Sequence, residues 1–366
     1  MKRFDQPIYV TRPYLPALED FQKGCAEIWA NQWLSNNGPM ARRFHDALSA
    51  YMGVPATNLA LFANGTLSLE LAFAALGISS GEVITTPFTF VATAHAIVRA
   101  GATPVFADID PNTLCLSPEA AERAITPRTR AIVPVHVYGN PCDVAGFQRL
   151  ADQYSVKIVY DAAHAFGIPS LATAGDVSMF SFHPTKLFHS AEGGLLVFRD
   201  PSLQERLFEL RNFAIHSETE CTAVGTNAKM NEFQALMGLL CLERMPALLA
   251  RRREIHDAYA AAFDGHPSVR LLPHSLNRAY VPVLFPDFAT RERVYNGLRD
   301  QCNVFARRYF YPLLTDFPPY AASRTSCPVA EDLSRRVLTL PTYHSLSLPT
   351  VHSIARSIVQ MIKDCQ

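Results

Sequence analysis

The sequence predicts an α/β protein: a three-layer α/β/α domain around a mostly parallel sheet, followed by a smaller C-terminal α+β domain. Three observations carry the prediction. Short runs of β-branched and aromatic residues alternate with amphipathic stretches up to about residue 200. Beyond about residue 245 the chain is richer in Pro and Arg, and the alternation fades. With 366 residues the chain also exceeds the roughly 250–300 residues at which single cores stop growing. We therefore divide it into residues 1–244, with an N-terminal arm, and residues 245–366.

The elements follow in order. Thr66–Leu76 (TLSLELAFAAL) reads as a helix opened by Asn64-Gly65, a capped start. Strands are expected at Glu82–Thr86, Thr103–Ala107, Ala131–Tyr138, Lys157–Tyr160, Val177–Phe182 and Gly194–Phe198. Between them Val91–Ala100, Pro118–Ile125, Val144–Tyr154 and Leu203–Asn212 have helical spacing. Asn231–Phe263 reads as a long helical stretch that Pro246 ends or kinks. Alternating strands and helices imply a sheet covered on both faces. Ligands of such sheets bind at the carboxyl ends of the strands.

Composition excludes several classes. Apolar residues make up 49% and charged residues 18%, which suits packing into a globule rather than disorder. Formal net charge is +0, so the basic excess expected of a nucleic-acid partner is missing. The eight cysteines are scattered without zinc spacing, as in a reduced cytoplasmic protein; no metal is expected. The N-terminus lacks the apolar run of a signal peptide, and no stretch approaches the roughly 20 apolar residues of a membrane span.

The densest chemical signal lies between Asp161 and Gly194: DAAHAFG, then GDVSMFSFHPTKLFHSAEGG. Asp161 closes the apolar run KIVYD, and Lys186 follows the next strand by a few residues. An acid and a lysine at neighbouring strand ends face one crevice. Pyridoxal phosphate (PLP) chemistry requires such a pair. The lysine amine carries the cofactor as an imine and shuttles a proton; the carboxylate keeps the pyridine nitrogen protonated. Ser181, five residues before the lysine, is in reach of a phosphate. Ala63-Asn64-Gly65-Thr66 precedes a helix whose first amides and dipole favour an anion.

Together these segments resemble the DegT-type sugar aminotransferases, within the fold-type I PLP enzymes. The resemblance rests on NGTLSLELA, TTPFTFVATAHAI, PVFADID, IVPVHVYG, YDAAHAFG, SFHPTK, EGG and NAKMNEFQA, and covers at least residues 34–240. It implies that Lys186 is the Schiff-base lysine and Asp161 the partner of the pyridine nitrogen. His164 then abuts the ring, Phe90 stacks on it, and Gly65, Thr66 and Ser181 hold the phosphate. Asn227 matches a residue that reaches the cofactor of the neighbouring subunit, which implies a homodimer with shared sites. His183, Tyr309, Tyr311 and Tyr343 are candidates for the substrate pocket. The implied reaction moves an amino group from L-glutamate, through PLP and its pyridoxamine form, to a nucleotide-linked ketosugar. VTRPYLP, DAAHAFG and the lysine context favour dTDP-4-keto-6-deoxyglucose over its 3-keto isomer. The product would serve a surface polysaccharide or a glycosylated metabolite. A cyclitol transaminase and a non-catalytic PLP-binding regulator are the rivals. Pro184, His189 and a shortened 167–175 segment depart from the family pattern.

Other features have plainer readings. Asp108 and Asp110 read as turn formers. Gly77–Gly81 fits G-x-S-x-G on paper but follows a helix and precedes a strand, the reverse of a nucleophile elbow. Arg251–Arg253 reads as a solvated helix face.

Overall fold

Seven strands build the central sheet in the order Leu59–Phe62, Gly194–Phe198, Val177–Ser181, Lys157–Asp161, Thr129–Ile132, Glu82–Thr85 and Thr103–Phe106. Gly194–Phe198 runs antiparallel to both neighbours, and every other pairing is parallel. The structure, a computed structural model, describes residues 1–272 and 275–363. Alternate side chains of the strands feed two cores. Ile158 and Tyr160 join one hydrophobic cluster, while Val159 joins another on the opposite face. Helices cover both faces, and the sheet is the middle of three layers.

Two sequence expectations shift. Leu59–Phe62 is a buried edge strand that the pattern does not reveal, because a four-residue apolar run reads equally as helix or strand. The strand expected over Ala131–Tyr138 ends at Ile132. Pro134 has no amide to donate, and the chain turns into a short 3-10 segment at Val137–Gly139. The amide of His136 still reaches the Asp161 carbonyl at 3.0 Å, which anchors the end of the acidic strand.

The long helical stretch is two helices, Glu232–Leu242 and Met245–Phe263, bent by 61° at the break. Pro246 sits in the first turn of the second helix, where its missing amide costs no hydrogen bond. That helix links two cores. Met245 and Leu248 pack with the sheet domain, whereas Ile255, Tyr259 and Phe263 pack with the C-terminal unit. Arg252 corrects the reading of a solvated basic face. It is buried, and its guanidinium donates to the carbonyls of Ala279 and Thr342. Arg251 donates to the Leu346 carbonyl at 2.6 Å, and only Arg253 is exposed.

The C-terminal unit holds a three-stranded antiparallel sheet: Arg270–Leu271, Val281–Leu284 and Val337–Leu340. Helices Phe288–Cys302 and Leu348–Lys363 pack around it through Val294, Leu298, Ile354 and Ile358. The start of the chain joins this unit: Ile8–Tyr9 pairs in parallel with Val304–Phe305, and Ile8 is buried in its core. The N-terminal arm thus packs on the C-terminal unit although it precedes the sheet domain in the chain. Among the described residues no single helix is long and apolar enough to cross a membrane.

Candidate active site

A cleft of about 920 Å³ opens at the carboxyl ends of the parallel strands, with a rim supplied by the C-terminal unit. Asp161 ends its strand at the cleft floor and is buried. Its Oδ2 accepts from the Thr93 hydroxyl at 2.8 Å, and its Oδ1 from the Ala163 amide at 3.0 Å. Thr93 is in turn 3.0 Å from the Thr89 hydroxyl. Burial pushes the Asp161 carboxyl up from the usual carboxylate range, while the bonds from Thr93 and Ala163 and the nearby Lys186 charge pull it back.

Lys186 follows the strand Val177–Ser181 on a short turn. The turn is closed by the bond from the Lys186 amide to the His183 carbonyl at 2.9 Å. His183 Nδ1 accepts from the Thr185 amide at 3.2 Å and lies 2.8 Å from its hydroxyl. Removal of the amine from water pushes Lys186 down to about 8; Asp161 opposes the change and Arg307 adds to it. About a tenth of it is therefore free amine at pH 7, far more than for a solvated lysine.

His164 is buried beside the pair. Its Nδ1 accepts from the Tyr138 amide at 3.1 Å, and its ring lies 4.5 Å from Tyr280 and 6.1 Å from Phe310. Burial, with Lys186 adding to it, holds the imidazole well below its ordinary pKa. The ring is therefore neutral, and because Nδ1 accepts, the proton sits on Nε2. Asn277 fixes the same segment by donating to the carbonyls of His164 at 2.8 Å and Phe166 at 2.9 Å.

The far end of the cleft is the N-terminus of helix Gly65–Ala75. Asn64 caps it, its side chain accepting from the Leu67 amide at 2.9 Å. The amides of Gly65 and Thr66 belong to the first turn, where no intrahelical acceptor exists. Ser181 lies directly alongside. A Cβ on Gly65 would stand 3.0 Å from the Ser181 Cβ and 3.1 Å from the Met179 sulfur, so glycine permits this approach. Phe90 lines the cleft on the other side with 52% of its surface exposed, an open aromatic face.

The structure thus gathers Gly65, Thr66, Phe90, Asp161, His164, Ser181, His183, Lys186 and Tyr309 around one cleft. Three candidates fall elsewhere. Tyr343 is buried in the core of the C-terminal unit, with Arg12 over its ring. Tyr311 packs against Phe288 and Arg291. Neither lines the cleft, because the local backbone turns both rings into the packing of that unit. Asn227 is exposed on the outer surface and bridges Asn212. Sequence reasoning missed Thr93, which reads as a helix residue, and Arg307, an exposed arginine at the rim. The departures from the family pattern have local roles. His189 Nε2 contacts the Tyr14 carbonyl at 2.6 Å and ties the N-terminal arm to the lysine loop. Within 167–175 the chain forms a 3-10 turn at Pro169–Leu171 with Leu171 buried. Asp108 does more than form a turn: its carboxylate accepts from Val329 and Ala330, both at 2.9 Å, at the start of helix Pro328–Arg336.

A neutralisable amine, a buried carboxylate and an anion-binding helix end at the strand termini of a parallel sheet define an α/β group-transfer enzyme. Comparison with known proteins gives the particular class. The chain belongs to the DegT/DnrJ/EryC1/StrS aminotransferase family, whose model matches residues 17–359. It is 42% identical over 355 residues to a dTDP-4-amino-4,6-dideoxy-D-glucose transaminase of Shigella dysenteriae, covering 94% of this chain and 96% of that one. A protein of the same name from Escherichia coli is 38% identical, with 94% and 95% covered. The solved structure of DesI in the presence of its TDP-sugar product superposes with a TM-score of 0.91 at 36% identity, covering 98% of this chain and 94% of that one. The fold and the aminotransferase class expected from the sequence both stand.

Proposed function

We propose that this protein uses PLP to transfer the amino group of L-glutamate to dTDP-4-keto-6-deoxyglucose. The observation that carries the reading is the 42% identity, spread over nearly the whole chain, to a transaminase named for the corresponding amino sugar. The cleft supports the same reading, because its residues fit the cofactor at each end. A helix N-terminus and a serine would hold a phosphate, a buried carboxylate would pair with a ring nitrogen, and an amine lowered to about 8 would bond an aldehyde. When bound, the cofactor carries the amino group and delocalises the electron pair left at the donor carbon.

The chain's own residues divide the remaining work. Gly65 and Thr66 amides and the Ser181 hydroxyl hold the phosphate. Asp161, whose carboxylate accepts from Thr93 and Ala163, would hold a proton on the ring nitrogen. Phe90, with its exposed face, would stack on the ring, and His164, free to donate through Nε2, would orient it. Lys186 Nζ takes and returns a proton at the reacting carbon in both halves of the reaction. His183 and Tyr309 face the sugar. Asn227 extends to the neighbouring subunit's cofactor in a homodimer. The seven cysteines within the described residues are unpaired thiols, in keeping with a cytoplasmic protein that supplies an amino sugar for a surface polysaccharide such as O-antigen.

A spectrum tests the reading. PLP-loaded protein should lose its visible absorbance on addition of L-glutamate and regain it with dTDP-4-keto-6-deoxyglucose. Recovery only with the 3-keto isomer would move the position of amination. A spectrum that no amino donor changes would overturn the proposal.

A further inference from the structure

Lys186 stands in the loop 182–193, between the strands Val177–Ser181 and Gly194–Phe198. Backbone bonds close the loop at its base: the Phe182 amide donates to the Gly193 carbonyl at 2.9 Å, and the Ser190 amide to the Phe182 carbonyl at 3.0 Å. His189, three residues past the lysine, is buried, and both its ring nitrogens are engaged. Nδ1 accepts from the Ala191 amide at 3.2 Å, so the ring proton sits on Nε2 and is donated to the Tyr14 carbonyl at 2.6 Å. Burial holds the imidazole below its ordinary pKa, which preserves this neutral form at neutral pH. Among the described residues, this is the one hydrogen bond that joins the N-terminal arm to the loop. The arm's other end is fixed to the C-terminal unit. Ile8–Tyr9 pairs with Val304–Phe305, the Ile8 amide donates to the Asn303 carbonyl at 3.0 Å, and the Val10 carbonyl accepts from the Thr342 amide at 3.0 Å. The gripped segments flank Arg307. Phe305 lies two residues before it, and Thr342 lies three residues after Thr339, whose backbone exchanges bonds of 2.8 and 3.1 Å with Arg307. Between the two grips, Pro13 and Pro16 bracket Tyr14 and stiffen the chain, and the Tyr14 ring packs edge-on against His344 at 5.5 Å.

We infer that His189 is a positioning residue for Lys186: by holding Tyr14 it turns the N-terminal arm into a strap that ties the lysine loop to the Arg307 wall of the cleft. The inference rests on the reading of Lys186 as the residue that carries the cofactor. A loop fastened only at its base is free to pivot, and the amine would swing with it. A second fastening, to a segment outside the loop's own strands, removes that freedom. The same fastening sets the distance between the two walls, because the arm is bonded to both. Transfer at a carbon held over the amine is sensitive to such placement: a shift of about 1 Å costs up to ~10²-fold in rate. The strap also explains why the N-terminal arm crosses to the C-terminal unit although it precedes the sheet domain in the chain.

Hydrogen exchange of the PLP-loaded full chain, mapped by mass spectrometry, tests the strap, because coupling between its two ends is reciprocal. His189→Ala should speed exchange about tenfold in residues 8–15 as well as in 186–193. Ile8→Ala, at the far grip, should speed exchange in 186–193. Two further variants separate the arm bond from the loop bond. His189→Gln keeps a donor at the reach of Nε2 and should restore slow exchange in residues 8–15. His189→Asn keeps only an acceptor near Nδ1 and should not. This contrast carries the test even where His189→Ala fails to fold. In steady state His189→Ala should lower kcat about tenfold with KM for L-glutamate little changed, and His189→Gln should recover most of the loss. Fast exchange confined to 186–193 in His189→Ala, or equal exchange in the Gln and Asn variants, would overturn the strap and leave the role of Lys186 in place. Unchanged kcat in His189→Ala would overturn the positioning role. Unaltered protein that L-glutamate fails to bleach would overturn the reading of Lys186, and with it the role given to His189, whatever the exchange shows.

Discussion

The two walls of the cleft are built differently. The sheet-domain wall is buried and hydrogen-bonded: Asp161 is held from two sides, His164 accepts from a backbone amide, and Gly65 lies against Ser181 without room for a methyl group. The opposite wall, from the C-terminal unit, presents Arg307, exposed to solvent and held through its backbone to Thr339. Under the proposed function the difference separates two tasks. Groups that act on electrons and protons sit where low dielectric and fixed partners shift their pKa values. Groups that recognise an acceptor sit on a rim that can vary without disturbing the sheet.

Substitutions on the buried wall sharpen that contrast. Asp161→Asn keeps the shape and removes the charge. It should lower turnover by about 10²–10³-fold, the usual loss when a directed electrostatic partner is removed. Steady-state kcat at saturating cofactor measures it, and a loss below tenfold would deny the carboxylate its role. Thr93→Val removes one bond to the carboxylate and should lower turnover about tenfold, equal to ~1.4 kcal/mol of barrier. The sign of its pH effect follows. With less support for the charged form, the Asp161 pKa rises further, so the acidic limb of the pH–rate profile moves to higher pH. An unmoved limb would mean that Thr93 only packs. Gly65→Ala places a methyl group 3.0 Å from the Ser181 Cβ and should weaken PLP retention several-fold with a stability change of about 1 kcal/mol or more. Equilibrium dialysis and thermal melts of the apoprotein separate the two effects.

How much of this was legible in the sequence follows the same division. Lys186, Asp161, Ser181 and the Asn64–Thr66 turn are readable because each is fixed locally, at the end of an apolar run or the start of a helix. The mostly parallel sheet is readable for the same reason. Thr93 is not, because its partner lies 68 residues away, and only the strand order brings them together. Arg307 is unreadable among neighbouring arginines, of which Arg308 pairs with Glu292 instead. Tyr309, Tyr311 and Tyr343 look alike as residues, yet only Tyr309 reaches the cleft, since burial in a core and lining of a pocket demand the same side chain. Arg252 misleads in the opposite direction. A charged run on a helix usually faces water, but here two backbone carbonyls accept from its guanidinium inside the fold.

Lys186 is the residue proposed to carry the cofactor, and chemical trapping tests that role most directly. PLP-loaded protein is reduced with borohydride, which fixes a lysine-bound cofactor, and then digested and mapped by mass spectrometry. The label should fall on Lys186 alone. Lys186→Ala should take no label and lose at least ~10³-fold in turnover. A label on another lysine, or full turnover in Lys186→Ala, would contradict it.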